Sequence, residues 1–223
     1  PEKIHALDYA QLPTPDQLLE LMRARRSNRA LTQRPVPHEA LRRIVEAADL
    51  APTATNARLL RFTVVTDPEK LRAVADYTIR VFDRLARLLL NPVVKLLVKP
   101  FQPELYEKYA PMFLELKEAY ARGEDPILRG AKALLIVHSP RHNRFAAEEA
   151  NLAYQNASLM AESLGVSQIY MGFVLTALRE GRRGSFSRML GLDGEVFALM
   201  GLGMPAFRYP RYADKAEQPC AFI

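Results

Sequence analysis

Residues 25–29 of the chain read Arg-Arg-Ser-Asn-Arg, a combination that can bind a phosphate group. The guanidinium groups of Arg25, Arg26 and Arg29 offer paired N–H donors to phosphate oxygens, and the Ser27 hydroxyl can bind a phosphate or sugar oxygen. The segment follows a predicted helix, and cations at the end of a helix are also favoured by the helix dipole. Taken alone, it fits either an anion site or a solvated helix end.

A second group lies at residues 51–56, between a predicted amphipathic helix and a predicted strand. Pro52 and Thr53 are compact residues that let the backbone approach a planar ligand, and the Asn56 carboxamide can both donate to and accept from a heterocycle edge. Loops that only connect elements have a similar composition. The segment therefore fits a ligand-binding loop and an ordinary turn equally well.

A third group, Met171-Gly172, lies at the end of a predicted strand over residues 167–173. A glycine at this place allows a backbone N–H to point directly at a ligand atom. The alternative is a bulge or a tight exit from the sheet.

The fourth group follows the last predicted strand, where Arg208 and Arg211 stand among aromatic residues and a proline. These two arginines could return to the phosphate that residues 25–29 would bind. The alternative is a basic tail with no ligand.

Other catalytic or binding patterns fail in their context. Residues 201–206 spell a dinucleotide-binding fingerprint, but Pro205 and the short remaining chain cannot supply the required helix and βαβ unit. His138 and His142 have the spacing of helical metal ligands, yet Pro140 between them prevents that helix. We therefore expect neither a Rossmann site nor a metal site.

The sequence predicts one α+β domain spanning residues 1–223, with a central, mostly antiparallel sheet flanked by helices. The run at residues 133–137 is apolar throughout, which predicts a central strand covered on both faces. Helices are predicted over about 15–27, 37–51, 68–122 and 148–164, with a short one at 187–190, and strands over 60–66, 133–137, 167–173 and 195–202.

The helical excursion at about residues 80–125 is interrupted by Asn91-Pro92 and three further prolines, including Pro111. Aromatic residues such as Phe82 and Phe113 are scattered through it. We interpret the excursion as a lid that lines a substrate pocket, with ordinary helix packing as an equally supported alternative.

Composition limits the class of protein. With 49% hydrophobic and 25% charged residues, the chain should fold as a globular domain. The excess of 31 basic over 25 acidic residues is dispersed and gives no nucleic-acid-binding motif. The single Cys220 favours a reducing compartment. Residues 1–12 are charged where a signal peptide would be apolar, and residues 84–100 are too polar to span a membrane. We expect a cytoplasmic protein with no nucleic-acid or membrane partner.

In order and spacing, the four groups resemble those of the nitroreductase family: Arg-Arg-Ser-x-Arg, an Ala-Pro-Ser/Thr-x-x-Asn loop, a strand ending in Gly-Phe, and a terminal Gly-x-Pro strand followed by arginines. The resemblance covers about residues 18–211. Residues 125–131 and 207–211 are similar to the branch whose members often carry a ferredoxin-type domain. We expect no such domain within residues 1–223, because the cysteines that it needs are missing.

The resemblance implies a flavin mononucleotide (FMN) bound by an intertwined homodimer. Its phosphate would contact the arginine-rich segments, Met171 and Gly172 would present backbone to the reactive N5 edge, and the 51–56 loop would come from the partner subunit. The residues implied as cofactor-binding are Arg25, Arg26, Ser27, Arg29, Pro52, Thr53, Asn56, Met171, Gly172, Arg208 and Arg211. One departure is Arg58, which stands where the family often has glutamine before Pro-Trp. We assign Arg58 to the substrate pocket, and either Arg58 or Arg61 to the flavin N1 edge.

The implied activity is an FMN-dependent oxidoreductase that moves hydride or electron pairs from NAD(P)H or an electron-carrier protein to small acceptors such as nitroaromatics or quinones. Donor and acceptor would use one flavin face in turn, and the flavin would carry the chemistry without a catalytic side chain. Two alternatives stay open at this point: a non-catalytic protein that stores or senses FMN, and a basic interaction module without a cofactor.

Overall fold

The computed structural model describes residues 4–214 and 216–222, so the first three residues of the charged N-terminal segment lie outside it. The helices are α1 (Pro15–Ala24), α2 (His38–Asp49), α3 (Pro68–Leu90), α4 (Pro92–Val98), α5 (Ala110–Ala121), α6 (Ala146–Ser163), α7 (Gly172–Glu180) and α8 (Ser185–Leu190). The strands are β1 (Arg61–Val65), β2 (Ala133–Ser139), β3 (Ser167–Tyr170) and β4 (Glu195–Gly203). Short turns of 3-10 helix occur at Tyr9–Gln11 and Ala54–Asn56, and a π-helical turn at Leu105–Tyr109.

The four strands form one antiparallel sheet in the order β1-β2-β4-β3. Every residue of β2 is buried, which confirms the predicted central strand. Alternate residues of β2 point to opposite faces, so Leu134 and Ile136 join a core with α3, α5 and α7, whereas Ala133 and Leu135 join a core with α2 and α6. The sheet is therefore covered by helices on both faces, as the predicted α+β class requires.

The predicted helix starts are confirmed where capping residues define them. The Thr14 hydroxyl accepts from the Gln17 N–H, and the Gln17 side chain accepts from the Thr14 N–H, which completes a capping box at α1. Asp67 caps α3 in a similar way through the Glu69 N–H. In the described residues, no helix is long and apolar enough to cross a lipid bilayer.

Two predicted boundaries are wrong. The strand predicted over residues 167–173 ends at Tyr170, and Gly172 begins α7, a helix that is absent from the predicted elements. Pro111 does not interrupt the chain, because it lies in the first turn of α5, where its missing N–H would have no partner inside the helix.

The helical excursion is integrated into the fold over most of its length. Phe82 of α3 and Phe113 of α5 stack with ring centroids 4.6 Å apart, and both lie in the main core. Lys117 of α5 also pairs with Asp83 of α3 at 2.7 Å. Residues 91–104, including α4, are mostly exposed and contribute no buried residue to this core. These contacts indicate a packing role for Phe82 and Phe113 and limit any lid to residues 91–104.

Candidate functional site

The two arginine-rich ends of the chain lie side by side. The Thr32 N–H donates to the Met204 carbonyl at 2.8 Å, and the Ala206 N–H donates to the Ala30 carbonyl at 2.8 Å. The buried Asn28 amide adds a 2.7 Å bond to the Phe207 carbonyl. Since these bonds are made by backbone and a buried side chain, they hold the two segments together independently of the arginines.

The edge strand β3 fixes the position of the N-terminal segment. Gln168 donates its side-chain amide to the Arg26 carbonyl at 3.3 Å, and the Tyr154 hydroxyl of α6 donates to the Gln168 carboxamide oxygen at 2.7 Å. Burial raises the pKa of Tyr154, although the nearby Arg25 opposes the shift. The hydroxyl therefore stays neutral and remains a donor at neutral pH.

Arg26, Glu162 and Arg208 line a crevice of about 160 Å³, which we call the arginine crevice. Burial raises the pKa of the Glu162 carboxyl, and Arg208, the Arg26 backbone N–H and Arg25 act in the opposite direction. The Arg208 guanidinium lies against Gly165 and occupies the space that a side chain would take at this position. The crevice therefore already brings donors from both ends of the chain around one carboxyl group.

The remaining predicted arginines lie outside this crevice. Arg26 and Asn28 line it, whereas Arg25, Ser27 and Arg29 do not. Arg25 and Ser27 are half-buried, and Arg29 and Arg211 are exposed. The structure thus brings Arg26 and Arg208 together and places Arg25 close enough to act on Glu162, while Arg29 and Arg211 extend from the same two segments into solvent.

The loop at residues 52–59, which we call the anchored loop, has an unusual backbone. Thr55, Asn56 and Arg58 have φ values of 54°, 53° and 50°, in the left-handed region that residues other than glycine seldom adopt. The Arg58 N–H donates to the Thr53 hydroxyl at 3.1 Å. Three such residues in one loop indicate a conformation that the surrounding structure must impose.

Glu149 of α6 supplies that constraint. Its side chain is 3% exposed, and its two oxygens accept from the Ala54 N–H at 2.8 Å and from the Asn143 amide at 2.9 Å. Asn143 also donates to the Ser139 hydroxyl at 3.0 Å, which in turn donates to the Leu59 carbonyl at 3.2 Å. A buried polar network therefore holds both ends of the anchored loop, and the sequence analysis did not identify it.

The turn from β3 into α7 presents backbone and no side chain at position 171. The Met171 side chain is 2% exposed and fills the space over Gly201, where an added Cβ would collide with the Met171 Cε. The Met171 N–H already donates to the Leu199 carbonyl at 3.2 Å. Gly172 is the first residue of α7, and the first N–H groups of a helix have no partner inside the helix. Of the predicted pair, Gly172 is therefore the residue whose N–H can reach a ligand.

The predicted flavin N1 contacts are engaged in ion pairs within the chain. Arg58 pairs with Asp49 of α2 at 3.1 Å, and Arg61 pairs with Asp193. His138, which Pro140 excludes as a helical metal ligand, is buried between the Thr63 hydroxyl at 3.0 Å and the Asp193 carbonyl at 2.7 Å. Arg58 thus lies at the surface in the loop before β1, and Arg61 lies at the surface as the first residue of β1.

The fold and these sequence groups define a member of the nitroreductase family. The model of the nitroreductase family matches residues 22–204, and the chain belongs to that family. The resemblance inferred from the four sequence groups is thereby confirmed.

Among curated relatives, a protein named NADH dehydrogenase from Thermus thermophilus is 31% identical over 194 residues, covering 86% of this chain and 82% of the relative. Solved structures with the same fold include a nitroreductase with bound FMN from Bacteroides fragilis, at 22% identity and a TM-score of 0.67, covering 93% of this chain and 98% of that one. An FMN-dependent nitroreductase from Mycobacterium smegmatis in complex with NADPH is 16% identical with a TM-score of 0.60, covering 90% and 98%.

Proposed function

We propose that the protein is an FMN-dependent oxidoreductase that passes hydride or electron pairs from NAD(P)H or an electron carrier to small organic acceptors such as nitroaromatics or quinones. The observation that carries this proposal is the meeting of residues 25–29 and 204–208 around one arginine crevice, next to the sheet edge that leads into Gly172. Family membership and the FMN named for the Bacteroides fragilis nitroreductase support it.

The donor set fits a phosphate. Guanidinium groups from two segments and the Arg26 N–H suit a dianion, and Arg208, Arg25 and this N–H already favour the charged form of the Glu162 carboxyl against the effect of burial. Arg26 and Arg208 would bind the phosphate together with Arg25, Ser27, Arg29 and Arg211, the last of these by a shift of the exposed tail. The Gly172 N–H, at the positive end of α7, would donate to the flavin edge.

When bound, FMN supplies the redox chemistry by accepting a hydride or electron pair and giving it up again. The chain's own residues bind the cofactor and orient it relative to the substrates. The anchored loop would bring Pro52, Thr53 and Asn56 to the ring, and Arg58 would be positioned at the substrate side by its ion pair with Asp49. We assign no substrate contact to Phe82 or Phe113, because both are packed in the core.

We propose that residues 1–223 form a single FMN-binding domain that acts as a homodimer. No residue of α1 is buried within the described part of the chain, although Leu18, Leu19 and Met22 make one side of this helix apolar. The aromatic residues Phe207 and Tyr209 of the C-terminal tail are also half-exposed. Exposed apolar surface of this kind is typical of a subunit interface, and the anchored loop would then approach the partner's flavin.

The visible spectrum of the purified protein tests cofactor binding. We expect the absorbance of oxidised flavin, with FMN released on denaturation. Under anaerobic conditions, NADH, NADPH and reduced ferredoxin are then added in turn, followed by a nitroaromatic or a quinone. Bleaching by a donor and recovery with an acceptor are expected. A flavin that no donor and acceptor pair turns over would instead identify a storage or sensing protein, and a colourless protein would contradict the proposal.

A further inference from the structure

A second cavity, of about 480 Å³, lies between α7, α8 and the start of β4. Its aromatic wall includes Tyr77 and Phe186, which are buried and meet edge to face with ring centroids 5.4 Å apart. The volume is in the range of sites that hold a small organic molecule. We call it the α7 cavity.

The turn that borders the α7 cavity is held in place by specific contacts. The Ser185 hydroxyl donates to the Arg182 carbonyl at 2.6 Å and lies 3.2 Å from the Tyr77 hydroxyl. Gly181 lies so close to Tyr77 that a side chain would collide with its hydroxyl. The aromatic wall and the turn that carries the arginines therefore form one preorganised unit.

The charges around the α7 cavity do not balance. Arg179, Arg182 and Arg183 line it, with Glu195 as the single carboxylate among the lining residues. Glu195 is engaged by Arg183 at 2.6 Å and also by Arg141 at 3.0 Å. Among the described residues, no carboxylate lies within ion-pair distance of Arg179 or Arg182. Arg179 and Arg182 are exposed, and the helix dipole favours a cation at the C-terminal end of α7. The dipole does not account for the position of two arginines in the lining of an aromatic-walled cavity.

The cavity also lies beside the proposed flavin edge. Tyr170 and Leu175, which flank the Met171-Gly172 turn in sequence, both line it. From Gly172 to Arg179 the α7 axis rises only about 10 Å, a distance that an arginine side chain shortens further. One small molecule could therefore contact the arginines at one end and approach the Gly172 turn at the other.

We propose that the α7 cavity binds a planar substrate through an anionic group, a carboxylate or a phosphate, which Arg179 and Arg182 recognise. The planar part lies against the aromatic wall, because an aromatic face excludes water without requiring a specific hydrogen bond. The assignment of this molecule as a substrate rests on the proposed function, whereas its binding does not.

Equilibrium dialysis of the purified protein tests the binding directly, without any redox step. 4-Nitrobenzoate and 4-nitrophenyl phosphate are compared with the neutral 4-nitrobenzamide. Because a hydrogen bond to a charged group changes affinity by about tenfold or more, we expect the anions to bind at least that much more tightly than the amide. The R179Q/R182Q double variant should lose this preference.

The matched control is Arg144→Gln, since Arg144 is exposed and does not line the cavity. The R179K/R182K variant should retain part of the preference because it keeps the charges. Equal binding of 4-nitrobenzoate and 4-nitrobenzamide, or a preference that survives in R179Q/R182Q, would overturn the proposal.

A nucleotide probe distinguishes the source of the anionic group. Equilibrium dialysis of the redox-inactive NADP+ with the parent and with R179Q/R182Q makes this distinction. A weaker affinity of the variant for NADP+ would assign the arginines to the phosphates of a nucleotide donor, and an unchanged affinity would assign them to a small acceptor. A colourless protein that still prefers the anions would refute the proposed flavin function and support the cavity assignment. A yellow, active protein without that preference would support the proposed flavin function and refute the cavity assignment.

Discussion

The anchored loop and the arginine crevice are built in opposite ways. The loop depends on one buried carboxylate, Glu149, whose bonds impose a backbone that its residues would not adopt alone. The crevice depends on guanidinium groups carried by segments that backbone hydrogen bonds already hold together. In this protein a buried carboxylate determines the shape of a loop, whereas half-buried and exposed arginines provide the positive charge of the crevice. Stability and cofactor affinity should therefore respond to different substitutions.

The largest expected effect is the loss of stability in Glu149→Ala. This change leaves the half-buried Ala54 N–H without its acceptor and removes one of the two acceptors of the half-buried Asn143 amide, which should lower the free energy of unfolding by about 3 kcal/mol. Urea denaturation measures it. The neighbouring Glu148 is exposed, so Glu148→Ala should change stability by less than about 0.5 kcal/mol. Equal losses in the two variants would show that Glu149 does not hold the loop.

Arg208→Ala should weaken cofactor binding and leave the stability of the protein nearly unchanged. Removing one charged donor should weaken FMN binding by ten- to a hundredfold, about 1.5–3 kcal/mol, while the unfolding midpoint of the FMN-free protein changes little. Titration of the FMN-free protein, followed by quenching of flavin fluorescence, measures the affinity. Arg34→Ala, which removes an exposed arginine outside the crevice, is the matched control. An Arg208 variant that unfolds easily yet binds FMN normally would show that Arg208 contributes to stability and not to cofactor affinity.

The smallest expected effect is a pH dependence of stability that arises from the Glu162 carboxyl. Burial raises the folded-state pKa of this carboxyl above its ordinary value of 4.5. The folded state therefore favours the protonated form, and this contribution to stability is present below the ordinary pKa and lost as the pH rises through the raised one. Glu162→Gln should thus be more stable than the parent above the raised pKa and should lose that advantage in acid.

The same variant tests whether Glu162 competes with the cofactor. At neutral pH the Glu162 carboxylate faces Arg208, Arg25 and the Arg26 N–H, so Glu162→Gln should bind FMN more tightly than the parent. The difference between the two proteins should shrink as the pH falls and Glu162 becomes protonated. Thermal unfolding and FMN titration over a pH series measure both effects. A difference in affinity that is constant with pH would exclude a role for the Glu162 charge.

The sequence was sufficient to predict the elements that have strong local signals. The central strand β2 has five consecutive apolar residues, and α1 and α3 begin at capping residues. The helix α7 was missed because its apolar sequence follows β3 almost directly, and Gly172 was interpreted as the end of a strand and not as the first residue of a helix. Apolar runs of this length do not distinguish strand from helix.

The candidate site could be predicted only in part. The arginine segments could be recognised by residue type, but their meeting depends on backbone bonds such as Ala206 to Ala30 that carry no sequence signal. Glu149 did have a signal. It stands three residues after Ala146 and four before Ala153, both buried, so helical periodicity places it on the buried face of α6. A charged residue on such a face must find partners.

The fit between Met171 and Gly201 has an evolutionary consequence. A methyl group added at position 201 would compete for the volume that the end of the Met171 side chain occupies. A scan that changes one position at a time should therefore find Gly201 intolerant, although Gly201→Ala combined with a shorter residue at 171 would restore the packing. The two positions should drift through evolution as a pair.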